Sequence, residues 1–242
     1  MIIGIDVSKW QREMNWQTAR QAGAKFAFIR AGSINRDTGV CYRDYQLTRN
    51  AELAPEQMDG RVGFYFYMRP KYDPINQANF FWGLVKDYDA GALVVDCEAA
   101  GASPDTIRKN TAIMVNLVAQ MGKKDLIYTR ASYWNSNIGY QAWAGKHDLW
   151  IARYNSSLTH PWGDGYCKPL GWDDWKFWQY SADGNGMGAK YGGNCASMDL
   201  NYFNGDMKEL NEYFGVDDEP SYPVNVSPEG RLAILDLARQ LA

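Results

Sequence analysis

Strand-like and helix-like stretches alternate through the first half of this 242-residue chain and then stop alternating. Short runs rich in β-branched and aromatic residues fall near residues 2–6 (IIGID), 26–31 (FAFIRA), 62–68 (VGFYFYM), 92–98 (ALVVDCE), 126–130 (LIYTR), 149–154 (LWIARY), 176–181 (KFWQYS) and 197–203 (SMDLNYF). Between the early runs lie stretches expected to be helical: Trp16 to Ala22, Tyr42 to Ala54, Pro74 to Tyr88 and Pro104 to Met121. Such alternation predicts βαβ units and a parallel sheet. The later connections, 155–175 and 182–196, are rich in Gly, Pro, Asn and Asp and read as loops. The expectation is therefore an α/β barrel with an incomplete set of helices, although length alone suits one domain of barrel size and two smaller ones equally.

The run Ala92 to Val95 is apolar throughout, as in a strand buried on both faces, yet it ends in two acids, Asp96 and Glu98, on either side of Cys97. Side chains alternate along a strand, so the two acids point one way and Cys97 the other. The i, i+2 spacing sets their Cα atoms roughly 6 to 7 Å apart, which leaves the stereochemical course of any reaction open. In a β/α barrel, chemistry gathers at the C-terminal ends of the strands. Asp6 ends the first strand and Asp199 lies early in the last, which neighbours the first if the barrel closes. Four carboxylates from three segments thus converge. Crowded carboxylates cannot all stay ionised cheaply, so at least one gains a raised pKa and can serve as a general acid. Glycosidic cleavage asks for that acid and for a second carboxylate that stabilises or attacks the anomeric centre.

Aromatic residues make up 14% of the chain, and Trp10, Tyr65, Tyr67, Tyr128, Trp150, Tyr154, Trp178 and Tyr180 sit in or just after strands. Flat rings suit sugar faces, although a barrel also uses many in packing. A net charge of -3 gives no electrostatic case for nucleic acid or an anionic membrane. Four widely spaced cysteines and two histidines make a zinc site unexpected, and no cofactor is implied. The cysteines are expected as free buried thiols, Cys97 facing away from the cleft, with His147 and His160 at the surface. Arg30 reads equally as a cleft residue or as half of a barrel salt bridge. The N-terminus, MIIGIDVSKWQ, lacks the pattern of a cleaved leader, and no stretch is long and apolar enough to span a membrane.

The motifs GIDVSKWQ, FAFIRAG, GFYFYMRP, VVDCE, IYTRASYW, LWIARYN, FWQYSADG and MDLNYFNG, in that order, resemble the family 25 glycoside hydrolases, N-acetylmuramidases of the Chalaropsis lysozyme type. The resemblance covers most of residues 1–215. It implies a flattened TIM-like (β/α)5β3 barrel that hydrolyses the β-1,4 bond between N-acetylmuramic acid and N-acetylglucosamine in bacterial peptidoglycan. Carried over, the family's D-x-E motif falls on Asp96 and Glu98. Glu98 takes the role of general acid/base, and Asp96 stabilises the transition state or orients the substrate's N-acetyl group. Asp6 and Asp199 match the remaining acidic positions, while Tyr65, Tyr128, Trp178 and Tyr180 match aromatic positions of the substrate groove. One departure is Phe66, where many members have His.

Two rival readings are a non-catalytic glycan-binding barrel and a glycosidase of another specificity. A lectin has little reason to keep the full acid set, and the D-x-x-D-x-D-x-E strand of a chitinase is missing from GALVVDCE. A metal-dependent hydrolase is disfavoured by the scarcity of His. Without an export signal, the expectation is a phage endolysin made in the host cytoplasm and acting on the cell wall, and a bacterial autolysin stripped of its leader would read the same. The tail divides into a linker (216–227) and a capped amphipathic helix (228–242), expected either to pack on the barrel or to open a C-terminal wall-binding module.

Overall fold

The structure, a computed structural model, describes residues 1–155, 157, 159–182 and 186–216. The expected linker, apart from Val216, and the expected helix at 228–242 lie outside the described residues. Nine strands form one sheet: β1 (Ile2–Val7), β2 (Ala27–Ile34), β3 (Cys41–Arg43), β4 (Val62–Tyr67), β5 (Ala92–Asp96), β6 (Lys124–Thr129), β7 (Asp148–Ala152), β8 (Phe177–Ser181) and β9 (Asp199–Phe203). Among the described residues six α-helices accompany them: α1 (Trp16–Gln21), α2 (Leu47–Gln57), α3 (Pro74–Val85), α4 (Pro104–Ala119), α5 (Ala131–Asn137) and α6 (Met207–Phe214).

The strand order β1-β9-β8-β7-β6-β5-β4-β2 closes through a parallel β1–β2 pairing, giving an eight-stranded barrel. Each of β1, β2, β4, β5 and β6 is followed by a helix, and β7, β8 and β9 have no α-helix between them among the described residues. This is a (β/α)5β3 barrel. The last strand, β9, runs antiparallel to both β8 and β1, with Asp199 directly opposite Asp6. None of the described helices is long and apolar enough to cross a membrane.

Two expectations need correction. The stretch expected as one helix over Tyr42 to Ala54 is split: residues 41–43 pair with β2, which outruns β1 at its C-terminal end, and α2 starts only at Leu47. The helices α5 and α6 were not anticipated. For α6 the signals were present in the sequence: Asp206 and Glu209 form a capping box, and Gly215 ends the helix in the left-handed region at φ 67°.

Alternation sorts side chains into two cores. Outside the barrel, Val7, Ile29, Phe64, Phe66, Val95 and Ile151 belong to the layer packed under the helices. Inside, Phe26, Phe28, Val94, Leu126, Trp150, Phe177 and Phe203 fill the lower half, and Leu210, Tyr213 and Phe214 of α6 join them. The barrel is narrow for so many rings, and glycine makes the room. A Cβ on Gly4 would lie 2.4 Å from the Phe26 ring, and one on Gly63 would lie 2.6 Å from the Phe28 ring.

Candidate active site

Above this apolar filling the inward positions turn polar. Asp6, Arg30, Tyr65, Tyr67, Asp96, Glu98, Tyr128, Trp150, Tyr154, Gln179 and Asp199 line a cleft of about 250 Å³, with Ser8 and the exposed Trp10 at its rim. Because β9 runs against its neighbours, the start of that strand meets the ends of the others, which brings Asp199 to the mouth.

Glu98 lies just beyond β5, and its backbone is held on both sides. Cys97 N–H donates to Tyr128 O (2.8 Å). The Thr129 hydroxyl donates to Cys97 O, and the Tyr133 hydroxyl of α5 donates to Ala99 O, both at 2.8 Å. Cys97 points outward against Met68, so β5 delivers the two acids to the same side. Asp96 is 5% exposed, and its Oδ1 has no hydrogen-bond partner among the described residues. Asp6 is 4% exposed, and its Oδ2 accepts bonds from the amides of Gln179 and Asn201, each at 2.8 Å. The network extends through Gln179 Oε1 to the Tyr128 hydroxyl and through Asn201 Oδ1 to Trp150 Nε1.

Burial raises the pKa of all three inner acids, because the charged form loses hydration. Desolvation drives Asp6 up to about 6 against its two amide hydrogen bonds, with a smaller push from Glu98. Asp96 is pushed well above the carboxylate range by desolvation, then by Glu98 and Asp6, with Arg30 and Arg130 opposing. Glu98 is raised by desolvation and lowered by Arg130, whose guanidinium lies 3.9 Å from Oε2. The cleft therefore holds protons near neutrality, shared among coupled groups.

The structure brings Glu98, Asp96, Asp6 and Asp199 together with Tyr65 and Tyr128. It sets Trp178 and Tyr180 elsewhere. On β8, Phe177 and Gln179 face inward, so Trp178 and Tyr180 face the outer layer. Trp178 is 0% exposed and donates to Arg153 O (2.7 Å), while Tyr180 stacks on Tyr202 at 4.0 Å. Phe66 also faces outward, onto Phe80 and Phe81, so its departure from the family pattern does not alter the cleft. Arg30 satisfies both readings of it, lining the cleft while its Nη2 sits 2.6 Å from buried Asp44. His147 is buried rather than at the surface, because its Nδ1 pairs with Asp125 at the start of the neighbouring strand. The four cysteines are free, but only Cys97 is buried and Cys167 is exposed. Gln179, Asn201 and Arg130 were missed as site residues.

Proton-holding carboxylates in a cleft walled by flat rings are the equipment of glycosidic cleavage, and glycoside hydrolase is the class to which fold and site point. The sequence profile of glycosyl hydrolases family 25 matches residues 5–189, and the chain belongs to that family. Lysozyme M1 of Streptomyces globisporus is 31% identical over 221 residues, covering 86% of this chain and 69% of that protein. The N,O-diacetylmuramidase of Chalaropsis sp is 25% identical over 220 residues, 86% of this chain and 96% of the relative. The crystal structure of the bacterial lysozyme from Streptomyces coelicolor superposes with a TM-score of 0.72 at 27% identity, covering 89% of this chain and 98% of that one. The profile match ends before β9, and it is the fold that brings Asp199 and Asn201 into the site.

Proposed function

We propose that the protein is a muramidase that cleaves the β-1,4 bond between N-acetylmuramic acid and N-acetylglucosamine in bacterial peptidoglycan. The observation that carries this reading is the pair at the end of β5: Glu98, fixed through both of its neighbours and raised in pKa, beside Asp96, whose buried Oδ1 is left for a ligand. Glu98 protonates the glycosidic oxygen as the bond breaks. Asp96 accepts the N–H of the substrate's acetamido group and turns its carbonyl oxygen toward the anomeric carbon. That hydrogen bond favours ionised Asp96 and leaves the shared proton with Glu98. Asp6, steered by Gln179 and Asn201, and Asp199 opposite it hold negative charge beside the oxocarbenium-like transition state. Tyr65, Tyr67, Tyr128 and Tyr154 offer rings and hydroxyls to the sugars, with exposed Trp10 as a stacking face. Such chemistry acts at the bacterial wall, the setting of the endolysin expectation; the Autolytic lysozyme of Clostridium acetobutylicum is a further relative, 26% identical over 162 residues.

The test is digestion of purified peptidoglycan, followed by borohydride reduction and mass spectrometry of the new sugar ends. Reduced muramic acid ends are expected, and Glu98→Gln lowers their rate of appearance by about 10²- to 10⁴-fold while glycan binding and fold persist. Reduced glucosamine ends would assign a different bond, and a folded Glu98→Gln enzyme of near-normal activity would remove Glu98 from its role.

A further inference from the structure

A second cavity of about 580 Å³ adjoins the cleft, and its charge is opposite. It is lined by Arg36, Arg69 and Lys71 against the single acid Asp37, with Tyr67 shared between the two cavities. Ala99, Ala100 and Gly101, the residues that follow Glu98, also line it.

The cations are held but not neutralised. Among the described residues, no carboxylate lies within ion-pair distance of Arg36, Arg69 or Lys71. The Arg69 guanidinium lies 5.2 Å from the Tyr67 ring centroid, and its Nε donates to Ile34 O (3.0 Å). Its backbone is clamped by the fully buried Gln77 side chain, which accepts from Arg69 N–H (2.9 Å) and donates to Arg69 O (3.1 Å). Asn110 ties down Pro70 O, and the Tyr72 hydroxyl donates to Arg36 O (2.6 Å). The turn before β3 closes onto the Tyr72 ring at Gly39, where a Cβ would lie 2.6 Å from that ring. The backbone of both segments is thus secured from several sides, and the Arg69 guanidinium is held in place.

An acidic cleft repels an anionic polymer, and a polymer of that kind needs cations placed beside the reacting linkage. We propose that this cavity is an anion subsite that receives a carboxylate or phosphate substituent of the wall glycan next to the bond being cleaved. The inference rests on the muramidase reading and adds a charge requirement to it.

The test compares kcat/KM on intact wall glycan with that on the same glycan after its phosphate polymers are removed and its carboxylates are converted to amides. The wild-type enzyme is expected to favour the charged substrate by about tenfold or more, the scale of one charge-assisted hydrogen bond. Arg69→Gln, and separately the exposed Lys71→Glu, should lose this preference while keeping wild-type rates on the neutral glycan and an unchanged unfolding midpoint. A variant pair that keeps the full preference, or a wild-type enzyme that has none, overturns the proposal. Substrate from which only phosphate has been removed assigns the source: a surviving preference marks a carboxylate and a lost one marks phosphate. Absence of muramic acid ends on every substrate would instead fail the muramidase reading. Salt-sensitive binding of a carboxylate-bearing muramyl peptide to wild-type protein, weakened by Arg69→Gln, then tests the subsite by itself.

Discussion

The two halves of the barrel interior are built from the same strands and do opposite work. In the lower half, Phe177 contacts Phe26, Phe28 and Phe203 with ring centroids 5.0 to 5.2 Å apart, and α6 seals the end. In the upper half, burial raises the pKa of the carboxylates, against the two amides that bond Asp6. The halves meet at Trp150. Its indole stacks on Phe28 (4.5 Å), touches Tyr128 (4.7 Å) and donates to Asn201 (2.8 Å). Burying several acids costs stability, and the aromatic floor offsets it. The comparison teaches that an active site of this kind needs a dry, rigid support directly beneath it.

Removing part of the floor should have the largest effect on stability. Phe28→Ala empties space beneath Trp150 and is expected to cost about 3 to 5 kcal/mol, read as a lower midpoint in denaturant. If the loss is under about 1 kcal/mol, the floor does not carry the load described. Relieving the mouth should act in the other direction. Asp6 has a folded pKa near 6 against 3.8 ordinarily, so the stability it contributes is full below pH 3.8 and is lost as pH rises through 6. The full difference corresponds to about 3 kcal/mol at neutral pH. Asp6→Asn, which keeps an acceptor for the two amides, should therefore stabilise the protein by about 1 to 2 kcal/mol at pH 7 and not below pH 4, at the expense of activity. A variant equally stable or less stable at pH 7 would contradict that sign. The smallest effect is on the pH profile. Arg130 lowers the pKa of Glu98, so Arg130→Gln should let Glu98 keep its proton to higher pH and move the alkaline limb of kcat upward. A limb that stays in place or moves down would show that another group sets it.

Much of this contrast was written in local pattern. Alternation put Asp96 and Glu98 on one side, the strand ends gathered the acids, and the fading of helices in the second half marked an incomplete α/β barrel, while the (β/α)5β3 order came from the resemblance to family 25. The assignment failed at β8, for a physical reason. A strand buried on both faces has apolar residues in both registers, so FWQYS offers rings to either side. Its one amide, Gln179, marks the inner face, and Trp178 and Tyr180 consequently point outward. Burial of His147 was not legible either, because it depends on Asp125, 22 residues away on the adjacent strand. The capping box of α6 was readable and was overlooked.

The antiparallel course of β9 has a consequence for how the chain comes to life. Strand β1 acquires its second neighbour only when residues 199–203 arrive, so all eight barrel strands must be synthesised before the barrel can close. Contacts between such distant segments form late and make folding slow. Asp199 and Asn201 arrive on that same strand, and Asn201 is one of the two amides that steer Asp6. A growing chain on the ribosome thus carries Asp6 without one of the two amides that steer it, and catalytic competence waits for β9.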